Sequence, residues 1–134
     1  MNKEFIPYEQ ALALKGLGFD EPCFGYYNGQ GNYIGEEGKM NSNCNKLGMH
    51  GTYCTAPLYQ QAFRWFREKY DLEGVIQQAE DFKWYKWKIS QYIEDGKKYV
   101  ADWYEYKTYE EAELACLEVL IELTKNKQHG QNTN

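Results

Sequence analysis

Three soft donors, Cys44, His50 and Cys54, stand close together in the middle of the chain, and Cys23 is available from upstream. Two or three thiolates and an imidazole hold zinc tetrahedrally, and a bound metal would keep a glycine-rich loop ordered. The spacing lacks the Cys-x-x-Cys knuckle that marks such sites, so a coincidental group of free thiols is the plainer reading. No cofactor is expected on that reading, with zinc as the alternative. Cys116 falls on an apolar helical stripe and acts as a small packing side chain.

The second chemically suggestive segment is Lys83-Trp84-Tyr85-Lys86-Trp87-Lys88. In a strand, Trp84 shares a face with Lys86 and Lys88, while Lys83, Tyr85 and Trp87 point the other way. Rings that stack bases beside lysines that meet phosphates grip single strands, which makes Trp84, Lys86, Trp87 and Lys88 candidate binding residues. The competing reading is a half-buried strand whose lysines shield an edge. The net charge of −5 favours the latter, since nucleic-acid and anionic-membrane binders usually carry a basic face.

For catalysis the inventory is thin. His50 falls in a loop and His129 in the C-terminal tail, neither within a nucleophile or metal motif. The acid pairs Asp20-Glu21 and Glu36-Glu37 read as surface carboxylates. No catalytic residue is assigned, and an enzyme is the third function class after protein binding and nucleic-acid binding.

The elements that would position these residues are legible in part. Ala56 to Tyr70 is a strongly amphipathic helix with Pro57 in its first turn. Leu58, Tyr59, Ala62, Phe63, Trp65, Phe66 and Tyr70 gather on one side, and Gln60, Gln61, Arg64, Arg67 and Glu68 on the other. Asp71 to Gly74 closes it, the glycine acting as the stop, and residues 75–81 remain unassigned. A first helix starts at Pro7 and ends at Gly18, with Phe19 making the accompanying apolar contact. Cys23 to Tyr27 and Asn32 to Gly35 form a hairpin about Asn28-Gly29, and Phe82 to Ile93 and Lys97 to Tyr106 a second about Asp95-Gly96. Thr108 opens the last helix with a capping box to Glu111. That helix carries two apolar stripes, one through Ala112, Cys116 and Leu120, the other through Leu114, Leu117 and Ile121. It is therefore central or shared with another subunit.

Between Glu36 and Thr55 no period survives, and Met40, Leu47, Met49 and Tyr53 are the only anchors. Ordering a residue costs about 1–2 kcal/mol, so this loop is expected to be mobile unless a ligand holds it. Replacing Gly38 to Gly51 by a short linker should then cost little.

The 134 residues suit one domain, expected over 1–126, with 127–134 a polar, disordered tail. Thirteen Tyr, six Phe and four Trp fill the core with rings and leave hydroxyls at its margin. No transmembrane run or apolar signal region is visible, which leads to the expectation of a soluble cytoplasmic protein with no membrane partner.

Phe5-Ile6-Pro7-Tyr8-Glu9-Gln10-Ala11-Leu12, Gly18 to Cys23, Ala56 to Tyr70 and Thr108 to Leu117 together resemble a group of short proteins of gut bacteria, their phages and mobile elements. The resemblance spans both ends and the middle helix but not Gln30 to Tyr53, which implies a variable loop there. It implies a phage or mobile-element setting and carries over no activity, ligand or site residue.

The expected fold is α+β: helix, hairpin, helix, hairpin, helix, with antiparallel strands covered by helices. The expected function is protein binding, to a partner or to itself, since aromatics anchor interfaces.

Overall fold

Pro7 cannot donate a backbone hydrogen bond, and helix α1 (Tyr8–Leu17) begins immediately after it, with Ala11 N–H donating to the Pro7 carbonyl at 2.9 Å. Gly18 ends α1 in the left-handed region at φ +103°, and Phe19 N–H reaches back to the Leu14 carbonyl while its ring is buried. The computed structural model describes residues 3–35, 42–45 and 51–132. The chain divides into two compact units, Met1–Ala62 and Phe63–Asn134, with the division inside the second helix. A single unit over 1–126 was the expectation from composition.

In the first unit, strands β1 (Gly25–Tyr27), β2 (Tyr33–Gly35) and β3 (Cys54–Thr55) form an antiparallel sheet ordered β2-β1-β3, with α1 against β3. The first hairpin is present, but its turn is longer than Asn28-Gly29. Asn28 Oδ1 accepts from the N–H groups of Gln30 and Asn32, and Gly31, not Gly29, takes the positive φ. Gly25 and Gly35 pair across β1 and β2 beneath the Tyr33 ring, where a Cβ on Gly25 would lie 2.6 Å from that ring. Glycine is needed there for closeness, which is why these strands look weak in sequence.

Helix α2 is Tyr59–Tyr70, so Pro57 precedes it. Ile6 N–H donates to the Pro57 carbonyl and Phe5 bridges Leu58, which keeps residues 56–58 extended. Gln61, expected on the wet face, is buried instead. It donates to the Pro22 carbonyl at 2.9 Å and accepts from the Cys23 thiol. Trp65, Phe66 and Tyr70 meet ring to ring as the helical arc requires.

The second unit is a meander, β4 (Leu72–Gln78), β5 (Tyr85–Ile93) and β6 (Gly96–Tyr106), followed by α3 (Tyr109–Asn132) packed on β4 and β5. The two hairpins thus belong to separate three-stranded sheets. Gly74 does not stop α2: Asp71 does, at φ +57°, and Gly74 lies inside β4. A Cβ on Gly74 would meet Cys116 Sγ at 2.9 Å, so this glycine is where α3 comes down on the sheet. The β5–β6 turn residues are Glu94 and Asp95, with Gly96 closing it opposite Ile93. Thr108 Oγ1 caps α3 by accepting from Glu111 N–H at 3.1 Å. Leu117 and Ile121, on the second apolar stripe, are buried within the chain. The helix continues through the expected tail to Asn132, with Gln128 bonded to the Tyr70 hydroxyl.

Candidate functional site

Residues directly opposite in an antiparallel ladder share a face of the sheet. Across β4, β5 and β6, Gly74, Ile89 and Ala101 form one row, and Ile76, Trp87 and Trp103 the next, on the side that α3 covers. Val75, Lys88 and Asp102, then Glu73, Ser90 and Tyr99, lie on the open side, where Gln77 faces Lys86. Of the four binding candidates, Lys86 and Lys88 share the open side and Trp87 lies on the other. Trp87 is 5% exposed and donates its indole N–H to the Tyr106 hydroxyl at 3.1 Å, so its ring has no free face for a base. Trp84 and Lys86 are half-buried, and Lys88 is exposed on the open face.

The open face is braced by its own polar groups. Glu73 accepts from the Tyr92 hydroxyl and from Lys97 Nζ, the latter at 2.8 Å, and Lys97 also sits over the Tyr92 ring. These donors hold the Glu73 carboxyl below its usual range. Tyr99 donates to Asp102 Oδ1, which raises the phenol.

Three exposed rings lie on the edge strand. Tyr99, Trp103 and Tyr104 of β6 are 58%, 55% and 54% exposed, and Trp103 stacks on Tyr104 with centroids 6.0 Å apart. Phe82, 77% exposed, sits at the β4–β5 turn at φ +61°. Two bulges shape β6. Val100 is an extra residue between the Ile89–Ala101 and Ser90–Tyr99 pairs, and another lies at Tyr104-Glu105, where Glu105 has φ +89°. Sequence reasoning missed Tyr99, Trp103 and Tyr104 as a surface. Rings occurred on both faces of the strand, and nothing in the pattern told which side a helix would cover.

In the first unit Cys23, Cys44 and Cys54 are all buried and electrostatically close, Cys44 to each of the other two. Burial pushes the thiols of Cys23 and Cys54 up to about 12 and raises Cys44 as well, against a weaker opposing pull from Lys15 on Cys44 and Cys54. Thr55 Oγ1 beside Cys23 is wholly buried and has no hydrogen bond of good geometry. Neutral thiols are poor metal ligands and poor nucleophiles. Among the described residues no group of three or more His, Cys, Asp or Glu side chains is placed to hold a metal, and His50 lies outside them.

One carboxyl is displaced upward. Burial, then the neighbouring Glu110, raises Glu113 of α3 to about 7; burial first, and Glu113 second, raise Tyr109 and Cys116. Tyr109 packs edge-on against Tyr85. The side chains of both histidines, His50 and His129, lie outside the described residues. Among the described residues no helix is long and apolar enough to cross a membrane. No family model, curated protein or solved structure matches the chain.

Proposed function

We propose that the protein is a small cytoplasmic interaction module that binds a protein partner through the rings of β6, without catalysis of its own. A phage or mobile-element accessory role is the setting its sequence resemblance implies. The observation that carries the reading is the stacked, exposed Trp103–Tyr104 pair on an edge strand, with Tyr99 on the same strand. Large rings held rigidly at a surface are the side chains that anchor protein interfaces.

A single-stranded nucleic acid is the second reading, because Lys86, Lys88 and Tyr99 share the open face. Asp102 stands between Lys88 and Tyr99 on that face and opposes phosphate. The test compares the wild-type chain with Trp103→Ser/Tyr104→Ser as bait in its host, alongside titration of labelled oligonucleotides at low and high salt. The expected result is a protein retained by the wild type and lost by the variant, with unchanged circular dichroism. Salt-sensitive micromolar oligonucleotide binding that Lys88→Glu abolishes would overturn it.

A further inference from the structure

The outer edge of β6 is open: its ladder partner is β5, and among the described residues no strand pairs with its other side. We propose that the partner seated on this edge is a second copy of the chain, pairing β6 antiparallel to β6 about a two-fold axis between Val100 and Ala101. The proposal rests on the reading that β6 binds protein, and it names both surface and occupant.

The argument is self-complementarity. In that register Lys98 falls opposite Trp103, Lys97 opposite Tyr104, and Tyr99 opposite Asp102, each pair occurring twice by symmetry. The Lys98–Trp103 and Tyr99–Asp102 pairs also agree in face. Lys98 stands opposite Gln91 in the ladder, on the side that α3 covers, as does Trp103 opposite Trp87. Lys97 stands opposite Tyr92 on the open side, and Tyr104 stacks on Trp103 beside the second bulge. Tyr99 and Asp102 both lie on the open side and are already hydrogen-bonded within the chain.

This agreement depends on the Val100 bulge. Without the extra residue, alternation along β6 would put Lys98 on the face opposite to Trp103. Bulges and lysines ordinarily guard an edge against pairing. Here the bulge sets the phase that brings Lys98 of each copy onto Trp103 of the other, a contact that strengthens as water is excluded. Lys97 keeps its bridge to Glu73, on the side of the strand away from the new ladder.

Sedimentation equilibrium on the full chain from micromolar to millimolar concentration tests the pairing. A monomer–dimer equilibrium is expected, with β6 amides gaining exchange protection as dimer forms. Lys98→Glu should weaken association about tenfold or more. The exchange Lys98→Trp/Trp103→Lys, which restores each pair in reverse, should recover it. Val75→Glu on the opposite edge strand should leave it unchanged. A chain that stays monomeric throughout overturns the proposal while leaving partner capture by Trp103 and Tyr104 intact. A dimer that resists Lys98→Glu, or that the exchange fails to rescue, overturns it as well.

Discussion

At the residue scale, Glu113 shows how a side chain can work against the fold that holds it. Its folded-state pKa of about 7 lies above the ordinary 4.5, so the folded chain holds a proton that the unfolded chain releases between those values. Stability from this group is therefore full below 4.5 and declines as pH rises through about 7. Glu113→Gln does not titrate, so it should stabilise the protein above pH 7 by about 1–2 kcal/mol after allowing for partial exposure. The gain should vanish in acid, as urea titrations across pH will show. Gly74 gives a second test. Gly74→Ala places a methyl 2.9 Å from Cys116 Sγ and 3.2 Å from Leu120 Cδ1, and overpacking of this kind costs about 1–3 kcal/mol. Cys116→Ala vacates that volume, so the double variant should lose less than the sum of the singles in a double-mutant cycle.

At the scale of elements, α2 was legible because Trp65, Phe66 and Tyr70 repeat at the helical period and pack ring to ring, with Trp65 and Phe66 buried. The two strand pairs were legible, but their turns lie off the dipeptides read for them, the first spanning residues 28–32 and the second being Glu94-Asp95. β4 was not, because Gly74 and the polar Gln77-Gln78 broke its alternation and the reason for that glycine is contact with α3. The order in residues 42–45 was equally hidden. Ser42 exchanges two backbone hydrogen bonds with Cys23, and Asn43 and Asn45 donate to the carbonyls of Asp20 and Phe19. Asn45 Oδ1 also accepts from Thr55 N–H, and Cys44 is buried beside them. Hydrophobic periodicity cannot register side-chain amides that hold backbone. The linker replacement of residues 38–51, expected from sequence to be harmless, should instead destabilise the protein strongly. Asn45→Ala alone should cost about 1–3 kcal/mol, since it leaves partly buried main-chain groups unpaired. An unchanged urea midpoint would show that these bonds are dispensable.

At the scale of the whole molecule, four thiols in 134 residues are all free and all buried, with Cys23, Cys54 and Cys116 pushed up to about 12. The native protein should react slowly with a thiol reagent at mildly alkaline pH, and all four cysteines should label quickly once denaturant is added. Rapid labelling of one thiol in the native state would mean that its region opens readily. The candidate surface was the least legible part of the chain. The 83–88 segment announced rings and lysines, yet which ring faced out depended on where α3 lay and on bulges in β6 that leave no sequence trace. The unequal burial of the four tryptophans also gives the protein an optical label of its own. Trp65 and Trp87 are buried and Trp84 is half-buried, whereas Trp103 stands out on the β6 edge. Iodide should therefore quench chiefly one red-shifted component of the intrinsic fluorescence, and Trp103→Phe should remove it. Whatever docks on that edge will report its arrival as a blue shift, with no dye attached.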